Sequence, residues 1–83
     1  MGSTQQEIRN LENEILKIEE NISEFLRLGY SEGVKKSRKQ LESNLKYLSI
    51  LANGAPIEKN ADRELMVFLR IHYDYLQKVP VSL

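Results

Sequence analysis

The sequence predicts an all-α fold: a three-helix bundle built on an antiparallel, coiled-coil-like helical hairpin, with the third helix packed across the hairpin. Three observations support this prediction. Apolar residues recur at alternating spacings of three and four between Ile8 and Phe25. Turn residues interrupt the chain at Gly29 and again at Asn53-Gly54-Ala55-Pro56. The stretch from Leu65 to Tyr73 then has no turn residue, and Pro80 ends the last segment. We predict a single domain over residues 1–83, with helices at about 4–28, 31–53 and 57–79.

The composition is that of a small globular domain. The chain has 83 residues, of which 41% are hydrophobic and 29% are charged, and at this size a single core is barely sufficient. It has no cysteine, which excludes disulfides and zinc fingers and fits a reducing compartment. No apolar run approaches the roughly 20 residues that cross a membrane. We therefore expect a nuclear or cytoplasmic protein with no membrane span, and Met1-Gly2-Ser3 has the composition of a cloning remnant.

The first helix has the clearest periodic pattern. Thr4 followed by Glu7 forms a capping-box signature, which predicts the start of the helix. A heptad seam then continues for almost three heptads, as is typical of a helix that packs along its whole length against a neighbour. The seam consists of Ile8, Leu11, Ile15, Ile18, Ile22 and Phe25.

The second helix is predicted to fold back against the first. Gly29 is predicted to cap helix one in a left-handed conformation, and Ser31 with Glu32 begins helix two, so that the connection has two or three residues. Such a short connection makes the helices antiparallel neighbours. From Thr4 to Leu28 there are six acids and three bases, and from Ser31 to Asn53 five bases and two acids. We expect the acids Glu19, Glu20 and Glu24 to lie beside the basic start of helix two.

The third helix has more apolar side chains than one neighbouring helix can cover. Arg70 is the one obligate charge between Leu65 and Tyr73, and apolar residues form three stripes. We expect this helix either to lie at the centre of the bundle or to be shared with a second chain. A protein partner or a second copy is predicted to bind Leu65, Met66, Phe68, Leu69, Tyr73 and Leu76.

Residues that carry enzymatic chemistry are sparse. His72, the single histidine, is in phase with Leu65 and Phe68, which is typical of a packing or hydrogen-bonded residue rather than a metal ligand or a general base. No cysteine or second histidine exists to complete a metal site, and the serines have no histidine in a plausible relay. We predict no catalytic residue, no metal, no cofactor and no enzymatic activity.

A basic cluster at the start of helix two has two interpretations. It pairs with the acidic first helix, or it forms a weak nucleic-acid patch. No aromatic or Asn/Gln set accompanies it for reading bases, so we favour pairing over nucleic-acid binding. The cluster comprises Lys35, Lys36, Arg38 and Lys39.

The segment from Leu41 to Asn53 resembles the N-terminal homology domain of the SSXT (synovial sarcoma translocation) coactivator family. That family has a helix, a Gly-containing turn and a second helix with the pattern L-x-x-N-L-x-Y-L-x-x-x-A-D. The resemblance covers about residues 18–53, although Asn53 stands where the family has an acid, and the family's Gln/Pro/Gly/Tyr-rich tail is replaced by an apolar third helix. The matching positions are Gly29, Leu41, Asn44, Leu45, Tyr47, Leu48 and Ala52.

The resemblance implies a subunit of SWI/SNF-type chromatin-remodelling complexes that docks on the N-terminal region of the ATPase subunit and has no enzymatic activity. A weaker likeness, through Tyr47-Leu48 and Gly54-Ala55-Pro56, is to a small helical subunit of the Mediator head module. Bacteriocin-immunity bundles also share Tyr-Leu and Ala at such spacing. We expect a helical protein–protein interaction subunit of a nuclear transcription or chromatin complex. The alternative is a self-contained immunity or regulatory protein that binds a bacterial or membrane-associated target.

Overall fold

The computed structural model describes residues 3–54 and 59–81, with the side chains of residues 5–52 and 63–81. Within these ranges the chain forms three α-helices and no strand, which confirms the predicted all-α bundle. The helices are α1 (Ser3–Leu28), α2 (Ser31–Gly54) and α3 (Lys59–Lys78). The bundle measures 42 × 20 × 16 Å, and its length is close to that of a 26-residue helix.

The predicted helix boundaries agree with the structure to within one residue wherever both are described. The ends of α1 and α2 differ from the prediction by at most one residue, which is the usual uncertainty of a helix boundary. The predicted start of helix three near Ile57 and the predicted stop at Ala55-Pro56 lie outside the described residues. The side chain of Thr4 also lies outside them, so the capping box stays a prediction.

The core is centred on the α1–α2 hairpin. Four of the six seam residues of α1 are buried, and Ile8 and Phe25 are partly buried against the core. On α2 one stripe of helical spacing is buried, and the largest fully buried side chains of the described residues all belong to these two helices. The α2 stripe consists of Leu41, Leu45, Leu48 and Ala52. Burying a side chain of this size stabilises a fold by about 1.5–3 kcal/mol relative to leaving it exposed. The fully buried set is Ile15, Ile22, Val34, Leu41, Leu45 and Leu48.

The connection between α1 and α2 is a Schellman turn. Gly29 has a φ of 70°, a conformation that costs other L-residues about 1–2 kcal/mol, and this confirms its predicted left-handed cap. The Gly29 N–H donates to the carbonyl of Leu26 at 3.2 Å, and the Tyr30 N–H donates to the carbonyl of Phe25 at 2.9 Å. The Phe25 and Tyr30 rings meet edge to face, with their centroids 5.4 Å apart. The turn therefore provides hydrogen-bond donors for the last carbonyls of α1, and two aromatic rings cover this end of the helix.

Tyr30 also takes the position that caps α2. Its carbonyl accepts the first bond of that helix, from the N–H of Val34 at 3.2 Å. Ser31 begins the helix as predicted, as its first residue.

Gly33 allows α2 to start close to the end of α1. A methyl group at this position would lie 2.6 Å from Cδ2 of Tyr30 and 2.8 Å from the ring of Phe25. Carbon atoms at these separations overlap, so the rings can cover the first turn of α2 because residue 33 has no side chain.

Helix α3 packs on the flank of the hairpin rather than at its centre. It contacts α2 along its buried side and reaches α1 through the longer side chains of His72 and Tyr75. Its buried residues complete the core, but none of them is among the largest fully buried side chains. Of the two predicted alternatives, the central position is therefore not the one found, because the fully buried side chains lie between α1 and α2. Sharing of α3 with a second chain stays a prediction.

The predicted pairing of the acidic first helix with the basic start of α2 is also wrong. Within the described residues Glu24 pairs with Arg27 of its own helix, and Glu19 pairs with His72 of α3. Lys35, Lys36 and Lys39 are exposed and make no such pair. Exposed ion pairs contribute little, so the antiparallel arrangement is set by the apolar seams and the short turn.

We expect Gly33→Ala to destabilise the protein by about 1 kcal/mol. The added methyl group overpacks the site, which costs about 1–3 kcal/mol, and the higher helix propensity of alanine offsets about 1 kcal/mol of that cost. Urea unfolding measures the change in the free energy of unfolding. The matched control is exposed Ser43 of α2, where the alanine variant should be more stable than the glycine variant. In a Tyr30→Ala background the cost of Gly33→Ala should shrink. A stabilised Gly33→Ala protein would contradict the proposed close approach.

Candidate functional site

The structure separates the six predicted partner-binding residues of α3 into two groups. Five are used by the chain itself: Leu65, Leu69 and Leu76 are buried in its own core, and Phe68 and Tyr73 are half-buried against that core. Met66 is the exposed member. Five of the six therefore stabilise the fold, and a partner that binds this conformation would meet Met66 and a different set of neighbours.

The exposed side of α3 has three apolar side chains close together. Met66, Val67 and Ile71 are 57%, 52% and 57% exposed. Val67 and Ile71 are four residues apart, so they adjoin on the helix surface. Charged residues flank them at helical spacing. We define the outer face of α3 as Arg63, Met66, Val67, Arg70, Ile71 and Asp74.

Other large apolar side chains are also exposed, but they are distributed over the molecule. Leu16 lies on α1, Leu28 and Tyr30 at the hairpin turn, Tyr47 and Ile50 on α2, and Val81 after α3. Exposed apolar residues that occur singly or in pairs are normal on a protein surface. Among the described helices, α3 has the densest exposed apolar group.

A second feature of α3 is its polar attachment to α1. The Nδ1 atom of His72 lies 2.5 Å from a carboxylate oxygen of Glu19, and the two side chains are 11% and 15% exposed. The hydroxyl of Tyr75 donates to the backbone carbonyl of Glu19 at 3.4 Å. The His72 ring also packs on Phe68, with centroids 4.1 Å apart. His72 thus serves as the packing and hydrogen-bonded residue that the sequence predicts.

The environment of this attachment changes the pKa values of two neighbouring groups. Burial raises the pKa of the Tyr75 phenol, and the negative charge of Glu19 raises it further, which keeps the hydroxyl protonated as a donor. Burial also raises the pKa of the Glu12 carboxyl; the charge of Glu64 adds to this effect, while Arg9 and His72 oppose it. Ionised Glu12 is therefore less stable in the folded chain than in water.

An open groove lies at the hairpin end, between the last turns of α1 and the first turns of α2. Its volume is about 470 Å³. The floor includes the Phe25 and Tyr30 rings and the buried Ser37, and the rim has both Glu32 and Lys36. The mixed charges of the groove favour no one class of ligand.

The basic cluster does not form one continuous surface. Lys35 and Lys39 are exposed and four residues apart, Lys36 lies beside them, but Arg38 is half-buried. The Nε atom of Arg38 is buried and has no hydrogen-bond partner among the described residues. Three lysines remain on the surface, and this arrangement resembles the solvated face of a helix more than a nucleic-acid groove.

Most of the positions that carry the family resemblance are occupied by core residues. Leu41, Leu45, Leu48 and Ala52 are buried. Tyr47 is exposed, and its hydroxyl donates to the Glu7 carboxylate at 3.2 Å. Asn44 is half-buried, with a side-chain nitrogen that has no partner among the described residues. Packing of the hairpin by itself requires apolar residues at the four buried positions.

No group of three or more His, Cys, Asp or Glu side chains in the described part of the chain is arranged to hold a metal ion. None of the described helices is both long and apolar enough to cross a membrane. Comparison with known proteins finds no match for this chain among family models, curated proteins or solved structures. The SSXT-like and Mediator-like resemblances therefore stay predictions.

Sequence reasoning missed Val67 and Ile71 as exposed residues and Glu19 as the partner of His72. The periodicity does place Val67 and Ile71 on one stripe, but it does not say which stripe faces outward. Glu12 and Glu19 are seven residues apart and border the α1 seam, so acids at this heptad spacing were a signal that a polar contact lies there.

We expect the Glu19–His72 pair to stabilise the docking of α3 onto α1. A double-mutant cycle with Glu19→Gln and His72→Phe, which keeps a ring on Phe68, should give a coupling energy of about 1 kcal/mol or more, because the pair is largely shielded from water. The exposed Arg27–Glu24 pair is the matched control, with an expected coupling below about 0.5 kcal/mol. Urea unfolding measures both cycles. If the effects of Glu19→Gln and His72→Phe on the free energy of unfolding are additive, the pair contributes no specific interaction.

We expect Glu12→Gln to stabilise the protein at pH 7. The folded state raises the pKa of Glu12 above its ordinary value of 4.5, so the protonated form favours folding. That contribution is complete below pH 4.5 and is lost as the pH rises through the raised pKa.

Thermal unfolding of Glu12→Gln and the wild type should therefore differ most near neutral pH and converge below about pH 4. Glu14→Gln, on an exposed position of the same helix, controls for the loss of one negative charge. A difference between Glu12→Gln and wild type that is the same at pH 4 and pH 7 would contradict this assignment.

Proposed function

We propose that this chain is a non-enzymatic protein–protein interaction domain that binds through the outer face of α3. The observation that carries the proposal is the group Met66, Val67 and Ile71, each more than half exposed although thirteen other apolar residues are buried. Apolar groups of this kind, bordered by charged residues, are typical of interaction sites on small domains.

The energetics favour a specific but modest interaction. Complete burial of a Val, Ile or Met side chain stabilises a complex by about 1.5–3 kcal/mol, and roughly half of each side chain is still available. Covering all three thus contributes about 3 kcal/mol before the cost of association. The flanking Arg63, Arg70 and Asp74 would then select the partner and its orientation rather than add much affinity.

The structural role of His72 supports the non-enzymatic part of the proposal. Its ring packs on Phe68 and its Nδ1 atom is engaged by Glu19, so the residue most suited to proton transfer is used to attach α3 to α1. Glu12 lies close enough for its charge to interact with His72, and Tyr75 bonds the backbone carbonyl of Glu19. These polar residues adjoin a helix interface rather than a cleft.

We propose further that the larger assembly is a nuclear transcription or chromatin-remodelling complex. This part rests on the SSXT-like segment alone. In the hairpin the matching leucines are core residues, so contact with the other subunits of such a complex would fall on exposed side chains such as Tyr47.

The experiment compares proteins that co-purify with the wild-type chain and with a Val67→Glu/Ile71→Glu variant. Both substitutions fall on exposed helix positions, so circular dichroism and thermal unfolding should match the wild type. We expect the variant to lose a stoichiometric partner that mass spectrometry identifies with the wild type, or to lose self-association. The matched control, Lys35→Gln/Lys36→Gln/Lys39→Gln, changes another exposed surface and should keep the partner. If Val67→Glu/Ile71→Glu binds the same proteins as the wild type, the outer face is not the site.

A further inference from the structure

We infer that the partner of the outer face is a second copy of this chain, bound through its own α3 in an antiparallel, two-fold symmetric pair. The inference rests on the proposed function and names the partner of the same surface. A two-fold pair uses the same surface on both copies, so the face must be complementary to itself when it is reversed.

The charges of the outer face have this property. Arg63 lies at one end and Asp74 at the other, with the apolar residues between them. These two residues are eleven positions apart, close to three helical turns and roughly 16 Å, so both lie on the same side of the helix. In an antiparallel pair centred between residues 68 and 69, Arg63 of each copy faces Asp74 of the other. The interface therefore has an opposite-charge pair at both ends.

The apolar residues fall at the centre of the same arrangement. Met66 and Ile71 lie on opposite flanks of the Arg63–Asp74 line, so Met66 of one copy adjoins Met66 of the other along one flank and Ile71 adjoins Ile71 along the other. Val67 lies near the aliphatic stem of Arg70, whose guanidinium can extend to water. The exposed apolar group on each copy is thus covered by the equivalent group. A parallel pair would instead place Arg63 beside Arg63 and Asp74 beside Asp74. The order of charges along α3 selects the antiparallel pair.

The size of the surface sets the expected strength. One pair of crossing helices buries less than the roughly 1,600 Å² of a standard interface, so association in the micromolar to sub-millimolar range is expected. A core near the lower size limit for an independent domain also gains stability from such pairing.

Analytical ultracentrifugation between about 10 and 500 μM tests the inference. The wild type should be a reversible dimer in this range, and Val67→Glu/Ile71→Glu should be a monomer with an unchanged circular dichroism spectrum. Arg63→Glu and Asp74→Arg should each weaken self-association about 10-fold, because each change places like charges at both ends of the pair. The double variant Arg63→Glu/Asp74→Arg restores both opposite-charge pairs and should recover the wild-type dissociation constant.

Mixing the two single variants gives the sharpest outcome. A pair made of one Arg63→Glu copy and one Asp74→Arg copy has opposite charges at both ends, so the mixture should form a heterodimer about as stable as the wild-type dimer. A wild type that stays monomeric at 500 μM overturns the inference, while the proposed function is decided separately by the co-purification experiment. A wild-type dimer that is unaffected by these charge reversals, or that persists in Val67→Glu/Ile71→Glu, overturns the antiparallel α3 pairing.

Discussion

Burial of the α1 seam against the α2 stripe is the interaction on which the rest of the molecule depends. Both helices place their fully buried apolar side chains in this one layer, including Ile15 and Ile22 on α1 and Leu41 and Leu45 on α2. A two-residue turn holds the helices in register, since Gly29 provides the left-handed conformation. Nine of the thirteen buried apolar residues of the described chain belong to the hairpin, and the other four lie in α3 and directly after it.

The position of α3 follows from that arrangement. Because α1 and α2 pack their seams against each other, α3 packs on the side of the hairpin, against α2. Its leucine side is buried there, and its outer face remains exposed to water. Its rotation is fixed jointly by buried leucines and by the Glu19–His72 contact, and a buried polar contact has stricter geometric requirements than apolar packing. The residues that attach α3 to α1 thereby decide which apolar stripe is presented to a partner.

The same rotation links stability to the proposed function. If α3 turned by nearly half a turn about its axis, the Arg63–Asp74 line would leave the surface and the buried leucines would replace it. The proposed self-pairing through Val67 and Ile71 depends on the rotation that the buried leucines and the Glu19–His72 contact fix together. The charge order along α3 also has a consequence for specificity, since a second copy is the one partner whose complementary charges are guaranteed by the chain's own sequence.

The sequence by itself determined the three helices, the left-handed Gly29 and the buried seam and stripe of the hairpin, because heptad spacing and backbone conformation are local properties. It also placed His72 correctly on a packed stripe. Only the tertiary structure decided that α3 lies on the flank, that Glu19 bonds His72 instead of a lysine of α2, and that Val67 and Ile71 face water. A helix with three apolar stripes can bury any one of them, so the pattern allows several rotations of the helix about its axis. The choice among these rotations depends on contacts between residues more than fifty positions apart.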